Sequence, residues 1–80
     1  MSVEIHQFDV VRVKAIRRDR FAETAADYER SPQIGDIGAV LEIYSNPELG
    51  FEVECSNPEN GFTIWLTAMY PDEIELVQGA

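Results

Sequence analysis

A small, mostly β barrel is the fold class that this 80-residue sequence predicts, and three observations predict it. The first is Pro32-Gln33-Ile34-Gly35-Asp36-Ile37-Gly38, a turn with two glycines that runs directly into the alternating stretch 39–44. Glycine tolerates positive φ or a close backbone approach, and Asp36 can bond within its own turn. The second is a pair of loops with one pattern, S-N-P-E-x-G, at 45–50 and 56–61. Asn opens such a turn, Pro presets φ, and the closing Gly supplies a left-handed residue. The third is period-two alternation between these punctuation marks, which is the repeat of a half-buried strand.

Each element follows in order. Residues 8–16 alternate as a first strand, with Val11, Val13 and Ala15 on one face and Arg12 and Lys14 on the other. The period then changes: Phe21, Ala25 and Tyr28 fall at helical spacing behind Asp19 as an N-cap, and Ser31-Pro32 ends the segment. A short helix or ordered loop is expected over 19–30. In the next strand Ala39, Leu41 and Ile43 are assigned to the core, with Glu42 and Tyr44 outside. Phe51-Glu52-Val53-Glu54-Cys55 places apolar side chains inside and carboxylates outside. In the fourth strand Phe62, Ile64 and Leu66 are assigned inward, and Thr63, Trp65 and Thr67 outward. A single helical turn at 68–72 then precedes a short last strand at 73–77. Five short strands in a meander, with one helical turn before the last, describe an SH3-like barrel carrying an insert after its first strand. The barrel is assigned to 8–77, with tails at 1–7 and 78–80.

Composition bounds the rest. With 45% hydrophobic residues, a packed core is within reach of so short a chain. No apolar run approaches the ~20 residues of a membrane span. The N-terminus lacks the basic and apolar regions of a signal peptide, and the single cysteine, Cys55, excludes an internal disulfide. A cytoplasmic protein is expected. The net charge of −9 is unevenly placed: six basic and six acidic residues balance in positions 1–30, and positions 31–80 hold nine acids and no Lys or Arg. Such a field favours solubility and attracts a basic partner.

Catalytic chemistry finds little footing. His6 is the one histidine and belongs to the N-terminal tail, and Cys55 shares the inward face of Phe51 and Val53. No nucleophile–base pair is therefore brought together by the strand pattern. Paired Glu52 and Glu54 fit a solvated strand face, and no calcium-loop spacing is present. No catalytic, cofactor or metal residue is assigned. The binding candidates are the outward residues Glu42, Tyr44, Glu52, Glu54 and Trp65, since exposed aromatics beside carboxylates suit a protein partner. A competing reading lays the 19–30 segment over Trp65. The basic cluster Arg12, Lys14, Arg17, Arg18 and Arg20 is the nucleic-acid alternative, opposed by the acidic field that repels a polyanion. Internal pairing of those arginines with Glu23, Asp27, Glu29 and the acidic face is the competing account.

The sequence also carries a resemblance. D-V-V-R-V, then R-S-P-Q-I-G-D-I-G-A-V-L-E-I-Y, G-F-E-V-E-C, F-T-I-W-L and D-E-I-E-L-V resemble a family of short bacterial SH3-like barrels of unassigned function. The layout is similar to the barrel of the nitrile hydratase β subunit and to KOW-type domains. That similarity implies the fold, and two functional expectations beside it: a KOW-like nucleic-acid surface, or an accessory subunit of a metalloenzyme such as nitrile hydratase. The reading that residues and charge favour is a non-enzymatic module binding a basic protein, as an inhibitor or immunity-type partner.

Overall fold

The computed structural model describes residues 4–19, 30–46 and 48–80. The expected helix or loop over 19–30 falls almost wholly outside them. Five antiparallel strands form one sheet: β1 (Val10–Val13), β2 (Ile37–Tyr44), β3 (Gly50–Ser56), β4 (Thr63–Met69) and β5 (Ile74–Gln78). Their order is β4-β3-β2-β1-β5, with a 3₁₀ turn at Pro71–Glu73 entering the last strand. This is the strand order of the small SH3-like barrel that the meander predicted.

Both glycines of the 32–38 turn work, by different means. Gly35 takes φ +100°, the left-handed region, and its N–H donates to the Val13 carbonyl at 2.8 Å. Gly38 has no such φ. A Cβ there would stand 2.7 Å from the Glu54 carbonyl oxygen and 2.8 Å from a Val53 methyl, so any side chain at position 38 would push against β3. The second S-N-P-E-x-G loop closes as expected: Gly61 has φ +77°, and its N–H donates to the Asn57 carbonyl. The first contains Pro47, outside the described residues, and Gly50 enters β3 opposite Tyr44 without a positive φ.

The core comprises Val11, Val13, Val40, Phe51, Val53, Cys55, Trp65, Met69 and Ile74. β3 keeps its predicted phase. β4 does not, and β2 does so only from Glu42 on. A bulge between Val40 and Glu42 shifts the β2 register, so Val40 is buried where Ala39 and Leu41 were expected, while Ile43 pairs with Phe51 on its predicted inner side and is 40% exposed. In β4 the phase is inverted: Trp65 is 1% exposed and Phe62 74%. With a side-chain period of two, a one-residue error moves the whole strand to the opposite face. The indole contributes more apolar area than any other β4 side chain, and Trp65 stands opposite Cys55 on the inner face. Ala15, expected inward on β1, lies beyond the strand and is exposed.

Candidate functional site

Hydrogen-bond donors divide these acids into two classes. Asp9, Asp36 and Glu73 sit inside or against the barrel, and each accepts donors from separate parts of the chain. The Asp9 carboxylate accepts the His6 N–H at 2.7 Å and the Ala80 N–H at 2.8 Å, tying the two ends of the described chain together. Those backbone bonds hold its carboxyl below the usual carboxylate range. Glu73 is fully buried and accepts the Tyr70 N–H and the Arg17 N–H, both at 2.8 Å, which fastens the 3₁₀ turn to the exit of β1.

Asp36 gathers the most partners. Burial alone would raise its carboxyl, yet the Arg30 fork (2.7 and 3.0 Å), the Trp65 indole N–H (2.9 Å) and the Gln33 N–H (2.9 Å) hold it below the usual range. This explains the inversion of β4. A buried indole needs an acceptor for its N–H, and the turn residue Asp36 supplies it. The expectation that Trp65 lies on an outward binding surface is therefore corrected: it is a core residue tied to the turn.

The second class faces outward on β2 and β3. Glu42 stands directly opposite Glu52, and Ala39 opposite Glu54. The Tyr44 hydroxyl donates to Glu52 at 3.1 Å; that bond, partial desolvation and the charges of Glu52 and Glu42 push the phenol upward. The Thr63 hydroxyl donates to Glu54 at 2.5 Å. Like charges directly opposite one another on a sheet destabilise it. Among the described residues no cation forms an ion pair with Glu42, Glu52 or Glu54, whereas Glu4, Asp9, Asp36, Asp72 and Glu75 each have one. Beside these carboxylates, Leu66 lies opposite Glu54 and Ala68 opposite Glu52 on β4. Glu42, Tyr44, Glu52 and Glu54 thus share one outer face, and Trp65 is absent from it.

The basic cluster is divided. Arg12 pairs with Glu75 at 3.2 Å across β1 and β5. Arg17 pairs with Asp72 at 2.9 Å and lies over the Tyr70 ring, 3.8 Å from its centroid. The hydrogen bond between Arg17 and Asp72 raises the guanidinium pKa and lowers the carboxyl. Both arginines therefore take acids from the C-terminal part of the chain. Lys14 and Arg18 are exposed, Arg18 with φ 51°, and Arg20 lies outside the described residues. Cys55 is buried, which pushes its thiol upward, with the Asp36 charge adding to the effect; this is the opposite of what a nucleophilic thiolate needs. His6 is exposed, within 3.5 Å of Glu4 and 3.8 Å of Asp9.

The sequence reading missed the outward apolar residues Val10, Ile37 and Ala39, which border a groove beside Glu54 with Ile64 and Pro58. The β4 phase that turns Ile64 outward has two signals of its own. Met69 is in phase with Trp65, so the inner face of β4 carries both large side chains. The carboxylate of Asp36 also needs a donor from across the barrel. No helix among the described residues is long and apolar enough to cross a membrane. Comparison with protein-family models, curated proteins and solved structures gives no match to this chain.

Proposed function

We propose that this chain is a non-enzymatic protein-binding module: an SH3-like barrel whose acidic outer face on β2 and β3 recognises a protein with a basic surface. The observation that carries this reading is the directly opposed pair Glu42 and Glu52, with Glu54 beside them and no cation paired to any of the three among the described residues. Such a pair costs stability in the free protein, and a basic partner converts that cost into attraction. The absence of Lys and Arg from positions 31–80 leaves the field without local opposition. In its sharper form the carboxylates stand in for phosphates and occupy a nucleic-acid-binding surface, as an inhibitor or immunity-type protein would. The resemblance to short bacterial SH3-like barrels supports the architecture within this proposal, and function on such folds resides in the grafted surface. The pairing of Arg12 and Arg17 with Glu75 and Asp72 leaves the nucleic-acid alternative with less free positive charge.

Binding of the full chain to a basic polypeptide such as polyarginine tests this, measured against ionic strength. The double reversal E52K/E54K is expected to weaken binding by about tenfold or more and to flatten its salt dependence. The charge-matched reversal E48K/E59K, in the loops, should lose much less. Equal losses in the two variants would show attraction to net charge alone and sink the proposal. A low-salt gel shift with an RNA or duplex DNA oligonucleotide should show no complex.

A further inference from the structure

We infer that the groove beside Glu54 is a pocket for a single arginine side chain presented by the partner protein. This rests on the acidic-face reading above and deepens it by naming what the partner inserts. The groove crosses the outer face of β1, β2 and β3 and has a volume of about 450 Å³. Its walls are mostly apolar (Val10, Ile37, Ala39, Pro58 and Ile64), with Ser56 also at its edge, and Glu54 is the charged side chain that lines it.

The chemistry selects the occupant. An apolar trough ending in one carboxylate suits a side chain with a long hydrocarbon stem and a cationic head. Ile37 is 44% exposed, and its surface is what such a stem would cover. Thr63 donates one hydrogen bond to Oε2 of Glu54, which turns the carboxylate and leaves Oε1 and a second lone pair on Oε2 as acceptors. A guanidinium fork matches two carboxylate oxygens, whereas an ammonium offers a point charge. Glu42 and Glu52 lie further along the same face and supply the field that draws the cation in. The groove residues are ordered by strand pairing, Val10 against Ala39 and Ala39 against Glu54, so the pocket exists before the partner arrives.

The test uses the isotope-labelled full chain and two capped pentapeptides, Ala-Ala-Arg-Ala-Ala and the same peptide with norleucine at its centre. Titration at low salt should move the amide resonances of Ile37, Ala39, Glu54 and Ile64 with the arginine peptide. The norleucine peptide should bind about tenfold more weakly or not measurably. Glu54→Gln, which retains the Thr63 acceptor, should lose a similar factor, and Glu42→Gln much less. Ala39→Leu fills the trough without touching charge and should also abolish the response. The inference is overturned if Glu54→Gln binds as wild type, if norleucine binds equally well, or if the arginine peptide moves no groove resonance. If instead Glu42→Gln and Glu52→Gln carry the whole loss, the acidic-face proposal stands and the pocket falls. Concentration-dependent shifts without peptide, removed by Arg18→Ala, would make a second copy of this chain the occupant and would also overturn it.

Discussion

Asp36 and Glu52 are both acids of the strand-rich half of the chain, and they do opposite work. Asp36 accepts hydrogen bonds from Arg30, Trp65 and Gln33, and its charge is spent within the fold. Glu52 faces a second glutamate across the sheet and accepts one phenol hydroxyl. The difference lies in donors. A carboxylate surrounded by N–H groups is a structural clasp, and one opposed by another carboxylate is unspent charge directed at solvent. Net charge counts both alike, so a value of −9 by itself says little about where a partner would bind.

Perturbing the clasp side of this comparison should have the largest effects. Asp36→Ala leaves the buried indole N–H without its acceptor and removes two hydrogen bonds from Arg30, so a loss of about 2–3 kcal/mol is expected in urea unfolding. Trp65 emission should shift to the red in the folded baseline. A loss within experimental error would remove the clasp argument.

The same group makes a pH prediction. The Asp36 and Asp9 carboxyls are lower in the folded chain than in the unfolded one. Their contribution is therefore present above the unfolded carboxylate range and is lost as pH falls through the folded values. Acid unfolding followed by Trp65 fluorescence should show this, and Asp36→Asn should flatten part of that slope. An unchanged slope would mean that Asp36 titrates alike in both states.

Gly38→Ala should cost about 1–2 kcal/mol, because the new methyl meets the Glu54 carbonyl oxygen and a Val53 methyl. Thermal unfolding reads this directly. Arg12→Gln removes an exposed pair with Glu75 and should cost under about 1 kcal/mol. The smallest effect has the opposite sign. Glu42→Gln relieves the facing-glutamate pair and should stabilise the chain by a few tenths, up to about 1 kcal/mol, more at low salt than at high. Destabilisation by that change would place Glu42 among the clasps.

Legibility followed the strength of the local signal. β3 was read correctly because Phe51, Val53 and Cys55 alternate with charged residues, leaving one face available to water. β4 offered two faces with apolar members, Phe62-Ile64-Leu66 and Trp65-Met69, and the choice between them depended on an acceptor 29 residues earlier in the chain. β2 keeps its predicted sides at 42–44 and departs from them over 39–41, because a bulge adds a residue without any mark in the pattern. The outer-face carboxylates were identified residue by residue, whereas their registration into facing pairs, and the groove beside Glu54, needed that same bulge to be known.

The sequence alone determined the strand meander, the turn at Gly35 and Gly38, the inward face of β3 and the confinement of every cation to the first 30 positions. These are local properties: backbone sterics, period-two patterning and composition. The tertiary structure decided which face of β4 is dry, which acids are clasps, and which arginines are already paired. Those outcomes depend on contacts between residues far apart in sequence. A buried N–H or carboxylate takes whichever partner the folded sheet brings within hydrogen-bonding distance, and spacing along the chain does not encode that choice.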